Sequence, residues 1–196
     1  MRIALLGDSI CAGYGVRPDK AWATMLAKAL EYGLHNDGIN GSTAREGLLR
    51  LPALLETRPN LLYVQFGLND AWMELPESEY IQTMDRILRE SLKEKARKVI
   101  LGTNHLVYVT EEQIRAGGTA YPEKVRHFNA ALRALLSPPD PRLILADIEA
   151  WTADLDVVEQ ASLLQWDGVH LSEEGNAFYF QRLEPVFRDI LDQSAT

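Results

Sequence analysis

Short apolar runs that alternate with helical patterns constrain the fold of this chain more than any other feature. Between the runs, apolar residues recur at spacings of three and four, the period of a helix with one buried face. The run 61–66 is almost continuously apolar, as expected of a strand covered on both sides. Five runs read as strands, the second of them weakly: 2–6, 35–39, 61–66, 98–102 and 142–148. This alternation predicts an α/β fold, with a parallel sheet of about five strands and helices on both of its faces.

No internal repeat, low-complexity stretch or linker divides the chain, so we predict one domain over residues 1–196. Two prolines fall inside helical patterns. We expect a break or kink at Pro52 and a bend at Pro185, because proline removes a backbone hydrogen bond and its ring clashes with the preceding turn. The last helix is expected to begin near Ser172, a favourable N-cap residue.

The segment 103–121 is long for a connection and contains Gly117 and Gly118. Its length predicts a lid or a specificity loop over a binding site. The alternative is that its central "TEEQIRA" stretch forms one short surface helix.

Composition excludes several classes of partner. The formal net charge of −8, from 20 basic and 28 acidic residues, argues against nucleic acid or an anionic membrane as a general partner. No apolar run approaches the ~20 residues that span a bilayer. The single cysteine, Cys11, allows neither an internal disulfide nor a cysteine metal site. No signal peptide is visible, so a cytoplasmic location is the simplest expectation. A periplasmic or secreted mature form, cut from a longer precursor, is the alternative.

Polar side chains follow three of the predicted strands. Ser9 follows the first, Asn69 and Asp70 follow the third, and Asn104 and His105 follow the fourth. In a parallel sheet, ligands bind outside the carboxyl ends of the strands. The sequence therefore predicts a site at this edge. Because a serine hydroxyl is a poor nucleophile without a base, a reactive Ser9 requires one from elsewhere in the chain.

The stretch "WDGVHLS" offers the best candidate base, His170. Asp167 precedes it by three residues, and on a tight loop that carboxylate can reach the imidazole Nδ1–H. It would then hold the tautomer and stabilise the imidazolium. Gly168, between them, permits a sharp turn. The alternative is an Asp-Gly turn ahead of a capped helix, which is slightly favoured when the stretch is taken alone.

The other three histidines have weaker surroundings. His127 lies beside the apolar stripe of a helix and is interpreted as a surface or half-buried residue. His35 is interpreted as structural, in a loop at the weak second strand. His105 ends a strand, where we expect it to line the cleft.

Acyl transfer also needs hydrogen-bond donors for the developing oxyanion. The candidates are the backbone N–H groups of Ser9 and Gly41 and the side-chain amide of Asn69, in "GDSI", "INGSTA" and "FGLND". Taken singly, each stretch is explained by turn chemistry, because Gly, Asn and Asp dominate turns for steric reasons. Their joint occurrence with an Asp-x-x-His stretch, each at a predicted strand end, favours a functional site.

These four stretches resemble the signature blocks of the SGNH hydrolases, also called GDSL esterases or lipases. The matching residues are "GDSI" (7–10), Gly41, "GLND" (67–70) and "DGVH" (167–170). The resemblance implies a flavodoxin-like three-layer α/β/α fold and an ester hydrolase without metal or other cofactor. It implies that Ser9 is the nucleophile, His170 the base and Asp167 the residue that orients it. It also implies an oxyanion hole made by Ser9, Gly41 and Asn69. Ile10 stands where the usual block has leucine, a change expected to affect packing only.

A narrower resemblance links "LGDSICAGYG" and the stretch 41–55 to the bacterial thioesterase/lysophospholipase branch of that family. That branch is typically periplasmic and hydrolyses acyl thioesters, lysophospholipids and aryl esters. The expected partner is therefore a small-molecule ester, cleaved through an acyl-enzyme. A carbohydrate acetylesterase and a non-catalytic binding domain with the same fold are the alternatives. The sequence predicts no oligomeric state.

Several side chains near the predicted site are candidates for substrate contact. Trp72, His105, Tyr108 and Trp166 are expected to line an acyl pocket, although Trp166 equally suits a packing role. Arg45 is the candidate for holding an anionic substrate, with a solvated surface residue as the favoured alternative.

Overall fold

A parallel sheet forms the centre of the protein. The computed structural model describes residues 1–30, 32–94, 97–115 and 120–193. Within them the strands follow the order β2-β1-β3-β4-β5, and every neighbouring pair is parallel. This is the flavodoxin-like order. The strands are β1 Arg2–Gly7, β2 Gly33–Gly38, β3 Leu61–Gln65, β4 Lys98–Gly102 and β5 Leu143–Ala146.

Helices cover both faces of the sheet and complete an α/β/α sandwich, as expected. The helices are α1 Ser9–Ala12, α2 Trp22–Leu30, α3 Ala44–Glu56, α4 Leu68–Trp72, α5 Glu77–Ser91, α6 Glu111–Arg115, α7 Tyr121–Ala134, α8 Ile148–Ala153, α9 Val157–Ser162 and α10 Glu173–Asp192. Helices α2 and α10 pack together in one layer, and α3, α5 and α7 pack side by side in the other. Strand β3, which has the clearest apolar run, lies between the two helical layers and is buried along its whole length.

The two edge strands differ from their predicted bounds. Strand β2 covers Gly33–Gly38 rather than 35–39, so His35 lies within it and is exposed. Among the described residues this strand pairs only with β1, and its polar sequence carries no alternation of apolar residues that would mark its ends. Strand β5 ends at Ala146, because the next residue, Asp147, caps α8 by accepting a hydrogen bond from the Ala150 N–H.

The helices with internal prolines are continuous. The expected break at Pro52 is absent: α3 continues through it to Glu56. Helix α10 also continues through Pro185 to Asp192, and a kink at Pro52 or a bend at Pro185 stays a prediction. Both helices bury an apolar face against the sheet layers, and this packing outweighs the local loss of a backbone hydrogen bond.

The segment 103–121 is only partly described. Within it α6 covers Glu111–Arg115, which agrees with the alternative of a short surface helix. Gly117 and Gly118 lie outside the described residues, and a lid or specificity role for the segment stays a prediction. In the part of the chain that the structure describes, none of the helices has the length and hydrophobicity needed to cross a membrane.

The carboxyl ends of three neighbouring strands are level with one another. Gly7 at the end of β1 is paired with Gly38 of β2 on one side and with Gln65 of β3 on the other. The loops that carry Ser9, Gly41 and Asn69 therefore start side by side, with the Ser9 turn in the middle. The sheet order thus brings residues far apart in sequence to one edge.

Candidate active site

Ser9 opens the short helix α1, directly after β1. Asp8 is the N-cap, and its Oδ1 accepts a hydrogen bond of 2.9 Å from the Ile10 N–H. Gly13, in the left-handed conformation at φ 74°, ends the helix after one turn. The Trp22 indole N–H donates to the Ile10 carbonyl at 2.8 Å, which ties this turn to α2. The nucleophile candidate is therefore held on a rigid turn, with only 6% of Ser9 exposed.

Ser9, His170 and Asp167 form a continuous hydrogen-bonded relay. His170 Nε2 lies 3.1 Å from Ser9 Oγ, and His170 Nδ1 lies 2.7 Å from Asp167 Oδ2. An ionised carboxylate only accepts, so Nδ1 carries the proton and Nε2 is left free to accept from the serine hydroxyl. This is the arrangement in which imidazole can remove the Ser9 proton.

Asp167 is held in its ionised form by the loop that it belongs to. Its Oδ1 accepts backbone hydrogen bonds from Val169 and His170, each at 2.9 Å, while Oδ2 faces the imidazole. Burial by itself raises the pKa of Asp167, but the hydrogen bonds from the His170 ring and the two backbone N–H groups outweigh it. The net pKa of this carboxyl is below its ordinary value, as a permanent partner for an imidazolium requires.

Gly168 allows the tight turn between the acid and the base. Its φ is +71°, and a Cβ at this position would lie 2.2 Å from the Tyr108 carbonyl oxygen. Tyr108 donates its backbone N–H to the Gly168 carbonyl at 2.9 Å. The loop that carries Asp167 and His170 is therefore clamped by the backbone of the segment after β4.

Gly41 and Asn69 flank the Ser9 turn on opposite sides. The Asn69 amide Nδ2 donates to the Ser42 carbonyl at 3.0 Å, which links the loop after β2 to helix α4. Gly41 has φ +77°, and no described atom lies within 4 Å of the position that its Cβ would take. The Gly41 backbone therefore borders open space next to the nucleophile turn, where a ligand can approach it closely.

Arg50 on α3 supports this loop, and sequence reasoning missed it. Its guanidinium donates to the Ser42 hydroxyl at 2.8 Å, to the Asp37 carboxylate at 3.0 Å and to the Gly7 carbonyl at 3.1 Å. One side chain thus joins the ends of β1 and β2 to the Gly41 loop. A single arginine in a helical pattern carried no signal for this role, because its partners belong to three separate segments.

Two buried carboxyls lie behind the site. Both oxygens of Asp70 accept from the Ala44 N–H at 3.1 Å, and burial raises the pKa of Asp70 to about 6. Burial, with a smaller contribution from the negative charge of Asp70, raises the pKa of Asp8 to about 7. Asp8 Oδ2 is buried without a hydrogen-bond partner among the described residues. Burial therefore favours the neutral form of Asp8, which limits the negative charge next to Ser9.

His105 does not line the cleft, contrary to expectation. It is 1% exposed, with Nδ1 at 2.6 Å from the Tyr179 hydroxyl and Nε2 at 2.7 Å from the Val169 carbonyl. Both ring nitrogens are therefore used inside the protein, beneath the Asp167–His170 loop. A strand's carboxyl end is at the correct edge of the sheet, but the direction of the side chain depends on the loop packed over it.

The remaining aromatic candidates lie in different environments. The Tyr108 hydroxyl donates to Gln160 of α9, so it already has a hydrogen-bond partner within the protein. Trp72 is half exposed at the end of α4 and contacts the Tyr121 ring edge-on. Trp166 is 86% exposed, which excludes the packing role.

Tyr14 is the aromatic residue in direct contact with the base. Its ring centroid lies 4.4 Å from that of His170, and about half of the residue is exposed. The Gln165 amide holds the Tyr14 carbonyl at 2.9 Å. Sequence reasoning did not single out Tyr14, although it lies five residues after Ser9 in the same glycine-rich turn.

The other polar candidates have structural surroundings. Arg45 is exposed and forms a surface ion pair of 3.9 Å with Glu79. His127 is exposed on α7, as interpreted from its position in the helical pattern. Among the described residues, no group of three His, Cys, Asp or Glu side chains is placed to hold a metal ion.

Comparison of the chain with models of known protein families identifies its family. The model of the GDSL-like lipase/acylhydrolase family matches residues 5–178, from β1 into α10. The chain belongs to the GDSL-like lipase/acylhydrolase family. The matched region contains Ser9, Gly41, Asn69, Asp167 and His170.

The chain is similar to curated bacterial proteins. Esterase TesA of Pseudomonas aeruginosa is 32% identical over 106 residues, 51% of this chain and 53% of that protein. Thioesterase 1/protease 1/lysophospholipase L1 of Escherichia coli is 28% identical over 133 residues, 66% of this chain and 64% of that protein. The chain thus spans between about half and two thirds of the length of the curated relatives that it matches.

Solved structures share the fold over almost the whole chain. The lipase/acylhydrolase from Enterococcus faecalis superposes with a TM-score of 0.81 at 22% identity, covering 96% of this chain and 95% of that one. At this level of identity the likeness establishes the flavodoxin-like α/β/α architecture.

Proposed function

We propose that this member of the GDSL family is a serine hydrolase that cleaves carboxylic esters or thioesters through an acyl-enzyme. The observation that carries the proposal is the relay from Asp167 through His170 to Ser9, with contacts of 2.7 and 3.1 Å. A binding domain has no need of a serine, a correctly oriented imidazole and an ionised carboxylate in series.

Acylation begins when the Ser9 hydroxyl attacks the ester carbonyl. His170 Nε2 takes the hydroxyl proton, and the charge on the imidazolium is stabilised by Asp167. The tetrahedral intermediate collapses when His170 returns the proton to the leaving alcohol or thiol. The acyl group is then bonded to Ser9 Oγ.

Deacylation repeats the sequence with water as the nucleophile. His170 accepts a proton from water as it attacks the acyl-enzyme, and then gives it to the Ser9 oxygen as the acid leaves. Proton transfer in both halves uses the same Nε2 atom, so Asp167 must hold one tautomer throughout.

The oxyanion of both intermediates is assigned to the Ser9 turn and its two flanking loops. The proposed donors are the N–H groups of Ser9 and Gly41 and the Asn69 amide. Support comes from the level ends of β1, β2 and β3 and from the link between Asn69 and the Ser42 carbonyl. Each such donor contributes roughly 10²–10³ to turnover in related chemistry.

The proposed substrates are small aryl esters and short-to-medium acyl esters or thioesters. Exposed aromatic side chains at this edge, Tyr14, Trp72 and Trp166, are the proposed apolar contacts. The names of the esterase and thioesterase relatives point to the same class. The net charge of −8 supports small molecules rather than nucleic acid as partners.

The proposal is tested by hydrolysis of p-nitrophenyl esters from acetyl to long-chain acyl. Ser9→Ala should lower turnover by roughly 10⁴–10⁶-fold relative to wild type, because the acyl-enzyme can no longer form. The matched control is Ser78→Ala, which changes an exposed serine on α5 and should leave turnover unchanged. Equal hydrolysis by wild type and Ser9→Ala would overturn the assignment of the nucleophile.

The same series separates the alternative of a carbohydrate acetylesterase. A deacetylase should show activity that falls steeply beyond acetyl, whereas an acyl esterase should show an optimum at longer chains. Acetylated sugars, assayed by acetate release, complete that comparison.

We further propose that residues 1–196 form a single domain. Support comes from the first strand and the last helix, which contribute to the same sandwich, and from the family match over residues 5–178. One cooperative unfolding transition, with the same midpoint by fluorescence and circular dichroism, is the expected result. Two separated transitions would contradict it.

The compartment is proposed to be the cytoplasm. Cys11 is buried and free, and this chain has no second cysteine, so its fold does not depend on an oxidising compartment. Fractionation of the source cells with an antibody to the protein tests this. Recovery in the periplasm or the medium would replace the proposal.

A further inference from the structure

His105 lies directly beneath the loop that carries the proposed base. It follows β4, is 1% exposed, and contacts Val169 through Nε2 and Tyr179 of α10 through Nδ1. The proposed mechanism makes no use of this histidine. A buried polar ring whose two nitrogens both have partners nevertheless requires a physical reason for its position.

The partners determine which nitrogen of His105 carries the proton. The Val169 carbonyl can only accept, so Nε2 donates to it at 2.7 Å. Nδ1 is then the acceptor, and the Tyr179 hydroxyl donates to it at 2.6 Å. The opposite tautomer would place a nitrogen lone pair against the carbonyl oxygen at that short distance.

The chain of donors continues into the sheet in the same direction. The Tyr179 oxygen accepts from the Gln65 amide Nε2 at 3.3 Å, and Gln65 Oε1 accepts from the Tyr63 hydroxyl at 3.0 Å. Each group thus donates to the next, from Tyr63 on β3 to the Val169 carbonyl. A chain polarised in one direction leaves a single arrangement of protons.

Protonation does not disturb this arrangement near neutral pH. Burial lowers the pKa of His105 to about 4, because a positive charge on this buried ring would be poorly solvated. The titratable groups that face it are Tyr179, His170 and Asp167, of which the nearest, Tyr179, has a pKa raised by burial. The ring is therefore neutral under the conditions in which an esterase is assayed.

One peptide group connects His105 to the proposed relay. The peptide between Val169 and His170 accepts from His105 through its carbonyl and donates to Asp167 Oδ1 through its N–H, at 2.9 Å. A rotation of this peptide would break both contacts together. The orientation of the Asp167 carboxylate, and through it that of the His170 ring, therefore depends on the His105 donor.

We propose that His105 is a positioning residue for the relay: its Nε2–H holds the Val169–His170 peptide so that Asp167 and His170 keep their alignment with Ser9. This inference rests on the proposed hydrolase function for its kinetic consequences. Its structural content, the tautomer and the peptide orientation, is independent of any activity.

The test compares two amide side chains, each of which can replace one of the two imidazole nitrogens. In His105→Gln the side-chain nitrogen can reach the position of Nε2 and donate to Val169. In His105→Asn the shorter side chain reaches only the position of Nδ1. We expect His105→Asn to lower kcat by roughly 10–100-fold with little change in KM, because a misoriented relay affects proton transfer rather than binding. His105→Gln should recover kcat to within about 10-fold of wild type.

A second variant keeps the packing and removes only the hydroxyl that donates to His105. Tyr179→Phe retains the buried ring but leaves His105 Nδ1 without its donor. A decrease in kcat intermediate between those of the two amides is expected. Thermal unfolding of all three variants separates a loss of fold from a loss of alignment.

Nuclear magnetic resonance of ¹⁵N-histidine-labelled protein supplies a readout without turnover. His105 should have the neutral Nε2–H form throughout the neutral range. The His170 Nδ1 proton bonded to Asp167 should be present in wild type and His105→Gln, and lost or shifted in His105→Asn. An Nδ1–H tautomer at His105, or a His170 proton signal unchanged in His105→Asn, would overturn the inference. Failure of the proposed function would show separately, as wild-type protein no more active than Ser9→Ala.

Discussion

At the scale of single residues, the two oxygens of Asp167 have different roles. Oδ1 accepts hydrogen bonds from two backbone N–H groups, and Oδ2 accepts one from the imidazole Nδ1–H. The first pair shapes the loop, and the third contact selects the tautomer. The two tasks can be separated by a substitution that preserves shape.

Asp167→Asn is expected to lower kcat by roughly 10²–10⁴ while changing the unfolding midpoint little. The asparagine Oδ1 can still accept from Val169 and His170, but its Nδ2 donates towards the ring and selects the wrong tautomer. Steady-state kinetics with an aryl ester, together with thermal unfolding, makes the measurement. Asp154→Asn, an exposed acid at the end of α8, is the control. Full activity in Asp167→Asn would remove Asp167 from the relay.

At the scale of elements, the site depends on two connections whose backbone conformation favours glycine. Gly41 and Gly168 both have φ near +75°, at +77° and +71°. They differ in what surrounds them: a side chain at Gly41 would meet no described atom within 4 Å, whereas at Gly168 it would collide with the Tyr108 carbonyl at 2.2 Å. The pair therefore separates backbone strain from steric clash.

Gly41→Ala is expected to cost only the left-handed strain of about 1–2 kcal/mol. Gly168→Ala should cost clearly more, because the clash forces the Asp167–His170 loop away from the backbone of Tyr108. Urea unfolding of both variants measures the difference. An equal loss of stability in the two would show that the contact between Gly168 and Tyr108 is not tight in solution.

At the scale of the whole molecule, the buried carboxyl of Asp8 links stability to pH. Its pKa, raised by burial to about 7, lies above the ordinary value near 4 of an unfolded chain. The folded protein therefore binds this proton more tightly than the unfolded chain does. Linkage then requires the Asp8 contribution to stability to decrease as pH rises from about 4 to about 7.

Asp8→Asn removes this titration while keeping an acceptor for the Ile10 N–H. Relative to wild type, the variant should gain on the order of 2–3 kcal/mol between about pH 5 and pH 8. Its unfolding midpoint should move up by several degrees relative to wild type over that range. Thermal unfolding of wild type and Asp8→Asn at about pH 5 and about pH 8, with Asp154→Asn as the control, tests this. A difference independent of pH would mean that Asp8 is ionised in the fold across the whole range.

Local patterns in the sequence determined most of the architecture and selected the candidate site residues. The apolar runs of β1, β3 and β4 are buried on both sides, so their hydrophobicity alone marks them. The four polar stretches were predicted at strand ends: Ser9, Gly41 and Asn69 do follow β1, β2 and β3, whereas Asp167 and His170 lie in the loop between α9 and α10. The fold nevertheless brings His170 to Ser9. Their catalytic roles stay predictions that the variants above test.

Other features were decided only by the tertiary structure. The polar edge strand β2 takes its bounds from pairing with β1, and α3 continues through Pro52 because its face is packed. His105, expected to line the cleft, is buried beneath the loop, whereas Tyr14, for which the sequence predicted no role, contacts His170. Arg50 joins three segments. The physical reason is the same in each case. Hydrophobic periodicity and turn chemistry act within a few residues along the chain, whereas burial and hydrogen-bond partners depend on segments that meet only when the sheet has formed.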